Sequence, residues 1–198
     1  QVHRGLLEGR KDTLRRLKDI GMDPSSEAQM GALVVDIPTG EIQAVLAGRD
    51  DNAGFHRVLD AKRQIGSLVK PFVVAAAIEG DSRLHAGTLV RDEVVSIRDG
   101  QGNVWSPKNY EKTEQGVVRL ENVIANSINQ ATVHLALGMG LDSILDRLSD
   151  YGIPVGSTKP PATILGVSEM SPYQVATRYQ GLLNQGYLTP LKSVRTVV

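Results

Sequence analysis

The chain contains no cysteine, which excludes disulfide frameworks, thiolate nucleophiles and cysteine-based zinc sites together. It also lacks an excess charge of either sign. Lys plus Arg and Asp plus Glu both number 22, a formal net charge of zero, so no global field draws it to nucleic acid. Aromatic residues are scarce, at one Trp, two Phe and five Tyr, and none interleaves with a basic stripe of the kind that single-strand binders use. No apolar run approaches the roughly 18 residues of a membrane span, and Gln1 opens neither a signal nor a transit peptide. The reading is of a protein that is cytosolic or has its targeting segment outside these residues. What is present is 198 residues, 41% of them apolar, enough for one large core or for one domain with an appended arm.

Residues 3 to 20 carry Leu6, Leu7, Leu14, Leu17 and Ile20 at helical spacing, with Gly21 placed to end the helix. It reads equally as a connector to something upstream or as an amphipathic helix docked on the domain. Met22 to Gln29 reads as a loop. Ala32 to Asp36 and Glu41 to Ala47 are β-branched and apolar, and Ile37-Pro38-Thr39-Gly40 between them is a hairpin signature. From Ser67 to Glu79 the chain is apolar nearly all round, as expected of the central helix of a fold. Residues 80 to 115 read mostly as surface loops, with one strand at Glu93 to Ile97. Helices are expected at Val117 to Asn126, Ala131 to Gly138 and Asp142 to Tyr151. Another should start at Ser171-Pro172-Tyr173-Gln174, where Ser can cap, Pro suits the first helical position and Gln sits three residues after the cap.

Ser67-Leu68-Val69-Lys70 places a hydroxyl and an amine three residues apart, on one face and one turn apart if helical. Pro71 confines both to about the first turn of the helix. There the positive end of the helix dipole favours developing negative charge, and a lysine whose pKa is lowered by burial could take the serine proton.

Taken alone Ser-x-x-Lys is a short pattern, but here it lies within an ordered set. Arg63-Gln64-Ile65-Gly66-Ser67-Leu68-Val69-Lys70-Pro71 resembles the active-site serine segment of penicillin-binding proteins. Asn126-Ser127-Ile128-Asn129 matches their Ser-x-Asn signature, and Trp105-Ser106-Pro107-Lys108-Asn109-Tyr110 resembles the Trp-x-Pro-x-Asn segment of the class A, bifunctional members. Phe55-His56-Arg57, the hairpin at 34 to 47 and the stretch from Leu165 to Pro172 are similar to family segments in the expected order. The resemblance implies an α+β transpeptidase fold, an antiparallel sheet flanked by helices, with residues 1–30 a connector helix and loop and 31–198 the N-terminal and central part of the transpeptidase domain. It implies Ser67 as acylated nucleophile, Lys70 as general base and Ser127 as proton relay to the leaving amine. It gives Asn129 hydrogen bonds to the substrate backbone and to Lys70, and the Ser67 N–H half of an oxyanion hole.

The partners so implied are peptidoglycan stem peptides and, as covalent inhibitors, β-lactam antibiotics; no metal or organic cofactor is implied. A glycosyltransferase domain and a membrane anchor would lie upstream, placing the domain on the periplasmic face of the inner membrane. The reaction is D,D-transpeptidation; the alternatives are a D,D-carboxypeptidase or β-lactamase-type hydrolase and a non-catalytic β-lactam sensor or scaffold. One signature of the family, Lys-Thr-Gly or Lys-Ser-Gly, is absent, and Lys112-Thr113-Glu114 is no substitute because it precedes Ser127 and ends in Glu. The expectation is of a piece of a longer protein with little or no turnover of its own.

Other signals are weaker. His3, His56, His85 and His134 lack a His-Glu-x-x-His spacing. Asp50 to Gly54 has Ala61 where a calcium loop needs a bidentate Glu, and so reads as a polar turn. Gly138-Met139-Gly140 reads as a helix end rather than a dinucleotide fingerprint.

Overall fold

The structure, a computed structural model, describes residues 1–21, 29–48, 54–98 and 102–194. The loop expected from Met22 and the polar turn from Asp50 fall almost wholly outside them. The chain divides into two units: Gln1–Arg63 with Met170–Val198, and Gln64–Glu169.

In the first unit, Val2–Asp19 (α1) buries none of its residues fully. Leu6, Leu7, Leu14 and Leu17 are half-buried, and the helix packs beside Ile42–Leu46 (β2); Ile20, counted in the apolar stripe, is 71% exposed. Ala32–Val35 (β1) pairs antiparallel with β2, Ala32 opposite Leu46 and Val34 opposite Ala44. The turn between them is held by Asp36, whose Oδ2 accepts from the Thr39 N–H at 3.1 Å and from the Thr39 hydroxyl at 2.5 Å. Gly40 closes it at φ +68°, a left-handed conformation that favours glycine. Arg57–Asp60 (α2) packs on Pro172–Leu183 (α7), which also packs on β1. Gln180, buried in α7, donates to the Ile37 carbonyl at 2.7 Å and accepts from the Thr189 N–H at 2.9 Å, tying helix and hairpin together.

The second unit is built around Lys70–Gly80 (α3), whose Phe72, Val73, Val74, Ala76 and Ala77 are buried. It packs on Asn129–Gly138 (α5) and Leu141–Asp150 (α6). Ala77, Ala131 and Ala136 have no exposed surface, and such small side chains let helices approach closely. Ile144, Leu145 and Leu148 form the buried stripe of α6. Arg63–Gln64 (β3) leads into the unit; Leu89–Asp92 (β4) pairs antiparallel with Gly116–Arg119 (β7), and Ile97–Arg98 (β5) with Val104–Trp105 (β6). Leu120–Ala125 (α4) links β7 to α5, and Glu169–Met170 (β8) precedes α7. The α+β architecture is thus as expected, with β1–β2, β4–β7 and β5–β6 forming small antiparallel pairs rather than one broad sheet.

Three expected elements differ. Ser67 is not in the α-helix: Gly66–Val69 forms a 3-10 turn and α3 begins at Lys70, with Pro71 at its first positions, where no N–H is required. The strand expected at Glu93 to Ile97 lies earlier, as β4. There Leu89–Asp92 alternates exposed and buried and finds a full ladder partner, whereas Val94 is 69% exposed. The helix expected from Val117 starts at Leu120, because the β-branched Val117 and Val118 extend that ladder. Gly138-Met139-Gly140 ends α5 as expected, with Gly140 at φ +85°.

The start of α7 is a capping box: the Gln174 N–H donates to Ser171 Oγ at 3.3 Å and the Ser171 N–H to Gln174 Oε1 at 2.9 Å. Ser171→Ala should lower stability by about 1 kcal/mol, measured by urea denaturation.

Candidate active site

The 3-10 turn presents Ser67 as an exposed residue while Lys70, one turn on, is 2% exposed. Gly66 enters this turn at φ +53° and donates its N–H to the Gly166 carbonyl at 2.9 Å, as Ile65 does to Ser168. A Cβ on Gly166 would collide with the Gly66 carbonyl. That close approach of two backbones fixes where the turn begins. Among the described residues the Ser67 N–H makes no backbone hydrogen bond, which leaves it available to an oxyanion.

Lys70 Nζ donates to the Ser127 carbonyl at 2.5 Å, to Ser127 Oγ at 2.8 Å and to Asn129 Oδ1 at 2.6 Å. Ser127 Oγ in turn lies 2.7 Å from Ser67 Oγ. The four residues singled out in the sequence therefore form one continuous hydrogen-bonded chain, Ser67 to Ser127 to Lys70 to Asn129. Among the described residues no direct bond joins Ser67 to Lys70; Ser127 stands between them. Two effects compete at the amine. Three acceptors favour the ammonium, each hydrogen bond to a charged group contributing about 1.5–3 kcal/mol. Burial disfavours it and pulls the Lys70 pKa down to about 8.

Ser127 reaches this position through the way α4 ends. The Ile128 N–H bonds the Val123 carbonyl at 3.0 Å and the Ser127 N–H the Ile124 carbonyl at 3.1 Å, the paired bonds of a Schellman motif. Val123 and Ile128 supply its buried apolar contact. Ser127 occupies the left-handed position of that motif at φ +54°, where glycine is the usual residue. The motif swings the serine back over Lys70 and starts α5 two residues later, with Asn129 in its first turn.

A cleft of about 360 Å³ opens over the site, lined by Ser67, Ser127 and Asn129 on one side and by Asn109, Tyr110 and Glu111 on the other. Asn129 spans it at the base, donating from Nδ2 to the Lys108 carbonyl at 2.8 Å. The sequence pattern includes the 105–110 segment in the resemblance but carries no role for Asn109, Asp92 or Gln130, which the structure joins by hydrogen bonds, with Glu114 accepting from Gln130 Nε2 at 3.4 Å. Only the Asn within Trp-x-Pro-x-Asn offered a signal; Asp92 and Gln130 belong to no local pattern. Within the second unit, neither His85 nor His134 lines the cleft. His56 Nδ1 accepts from the Leu59 N–H, His85 Nδ1 accepts from the Gly87 N–H, and His134 Nε2 lies 3.2 Å from the Glu93 carbonyl.

Residues 30–198 match the family described as the penicillin binding protein transpeptidase domain. The chain is 35% identical over 185 residues to penicillin-binding protein 1B of Vibrio cholerae, covering 92% of this chain and 24% of that protein. It is 32% identical over 177 residues to penicillin-binding protein 1B of Escherichia coli, covering 87% and 21%. The shared stretch thus spans only about a quarter to a fifth of the length of these two relatives. Among solved structures, penicillin-binding protein 1A from Haemophilus influenzae superposes with a TM-score of 0.73 at 28% identity, over 82% of this chain and 25% of that one. The penicillin-binding protein PonA1 from Mycobacterium tuberculosis gives 0.74 at 20% identity, over 96% and 50%, a likeness of fold alone.

The left-handed serine makes a prediction about stability. Ser127→Gly and Ser127→Ala both remove the hydroxyl, but only glycine relieves the backbone, so the glycine variant should be the more stable by about 1 kcal/mol. Thermal melting of the two side by side measures this; an alanine variant as stable as the glycine one would contradict it.

Proposed function

Because this chain belongs to the family of penicillin-binding protein transpeptidase domains, we propose that it serves as the acyl-serine D,D-transpeptidase part of a longer protein that cross-links peptidoglycan stem peptides. The observation that carries the reading is the hydrogen-bonded chain from Ser67 through Ser127 to Lys70 and Asn129. A hydroxyl exposed at a cleft, linked by a second hydroxyl to a buried amine whose pKa is lowered to about 8, is an arrangement suited to nucleophilic catalysis.

With Lys70 neutral, the hydrogen bonds run Ser67 O–H to Ser127 Oγ and Ser127 O–H to the Lys70 lone pair. Ser67 Oγ attacks the penultimate D-alanine carbonyl while its proton moves to Ser127 and the Ser127 proton to Lys70. The oxyanion takes the Ser67 N–H. With Lys70 now an ammonium the chain runs the other way, and Ser127 delivers a proton to the leaving nitrogen as the C–N bond breaks and terminal D-alanine departs. An amine from a second stem then attacks the ester, its proton returns along the same path, and Ser67 is regenerated. Asn129 holds Lys70 from the far side and offers its amide to the donor peptide. A β-lactam enters by the same first step, but its leaving nitrogen stays tethered to the acyl group, so the ester persists. The whole protein is proposed to be anchored in the inner membrane with this domain in the periplasm and a glycosyltransferase domain upstream.

Two predictions follow from this chemistry. Incubated with a fluorescent penicillin, the whole protein should gain one drug mass by intact-mass spectrometry and Ser67→Ala should gain none; an unlabelled parent would leave a non-acylating scaffold as the reading to pursue. Product analysis with stem peptides then separates cross-linking from hydrolysis. The second prediction concerns pH. Burial favours the neutral amine in the folded protein, and the neutral amine is the base. The acylation rate should therefore climb about tenfold per pH unit below the Lys70 pKa and level off above about 8, as measured by stopped-flow or quenched labelling across pH.

A further inference from the structure

Asp92, the last residue of β4, has 0% exposure, and among the described residues it pairs with no cation. Both its oxygens are met by neutral donors: Oδ1 accepts from Asn109 Nδ2 at 2.7 Å, and Oδ2 from the Gln115 N–H at 2.9 Å. These bonds orient Asn109. The Gln130 backbone N–H can only donate, and it bonds Asn109 Oδ1 at 3.0 Å. The Asp92 carboxylate and the Thr113 carbonyl accept from Asn109 Nδ2, the latter at 3.0 Å, so the amide has one permitted orientation. Gln130 adds a side-chain bond, accepting at Oε1 from Asn109 Nδ2 at 3.0 Å. Its N–H is one of the first-turn donors of α5 that no helical carbonyl can satisfy, so Asn109 caps that helix from outside it.

The residue before Asn109 carries the arrangement into the site. The Lys108 carbonyl accepts from Asn129 Nδ2 at 2.8 Å, which leaves Asn129 Oδ1 aimed at Lys70 Nζ at 2.6 Å. Building on the acyl-serine reading above, we propose that Asp92 and Asn109 are positioning residues for acyl transfer. Together they pin the Lys108 carbonyl and the first turn of α5, and this holds the Asn129 amide with its oxygen on the Lys70 amine. Burying a carboxylate costs several kcal/mol unless its oxygens are matched, so Asp92 tolerates little drift of Asn109 or of the 113–115 backbone. That intolerance is what makes the pin stiff.

Two variants of the whole protein test it, Asp92→Asn and Asn109→Ala, each followed by penicillin acylation across pH and by thermal melting. Asp92→Asn keeps an acceptor for Asn109 but sets an NH2 against the Gln115 N–H, two donors face to face; Asn109→Ala removes the pin and leaves Asp92 Oδ1 without its Asn109 donor, the cost of which melting reads. Acylation should slow by about tenfold to a hundredfold, the range expected when a catalytic group is displaced by up to an ångström, and more in Asn109→Ala. With Asn129 no longer fixed on the ammonium, the pH midpoint of acylation should also fall below that of the parent, a change that loss of stability alone would not produce. Rates and midpoint equal to the parent's in the variant that stays folded would overturn the proposal, and so would slower acylation with an unmoved midpoint. A parent that is not labelled at Ser67 would instead sink the acyl-serine reading, and this inference with it.

Discussion

The site is organised by the burial of one amine. Lys70 is 2% exposed, and an ammonium taken out of water needs an acceptor for each of its three hydrogens or it loses its proton. The structure supplies three, and all come from the short stretch Ser127 to Asn129. Requiring these two segments to meet fixes the relation of α3 to the α4–α5 junction, and with it the place of Ser127 Oγ beside Ser67. The result is a balance rather than a saturated ion: acceptors hold the amine in place, while burial keeps its pKa near 8, where it can change protonation state during a reaction.

The backbone around this amine bends in ways that side-chain packing alone would not choose. Ser127 stands in a left-handed conformation suited to glycine, at an energy cost on the order of 1–2 kcal/mol. The conformation completes the Schellman bonds that end α4, and it also turns the hydroxyl toward Ser67 and Lys70. Gly166 approaches the Gly66 backbone closer than a Cβ on Gly166 would allow, which sets the 3-10 turn from which Ser67 projects. The exposed nucleophile and the buried amine thus follow from local geometry at three residues, each placed by a contact distant in sequence or by a helix end.

Around the cleft, polar groups are joined in sequence rather than scattered. Asp92, Asn109, Gln130 and the Lys108 carbonyl link β4, the 105–115 segment and the start of α5 to Asn129. A linked set of this kind resists small rotations, because turning one amide leaves several buried partners unmatched. The cleft wall and the reacting groups are therefore coupled mechanically, and the segment carrying Tyr110 and Glu111 cannot shift without disturbing the amide that holds Lys70.

By itself the sequence determined what local rules decide. The hairpin at 32–46, the capping box at Ser171, the end of α5 and the apolar α3 could be read because turn chemistry, caps and periodicity act within a few residues, and ordered motifs singled out Ser67, Lys70, Ser127 and Asn129, which the structure joins by hydrogen bonds. The family was legible for the same reason, since its signatures are short and keep their order. Only the tertiary structure decided that Ser127 lies between Ser67 and Lys70, that Ser67 sits in a 3-10 turn ahead of the helix, and that Leu89–Asp92 and Gly116–Arg119 are strands. Each of these depends on a partner far along the chain: β4 is a strand because β7 lies beside it. Asp92 and Gln130 escaped notice because a half-buried hydrogen bond between residues 17 to 21 positions apart leaves no period in the sequence to find.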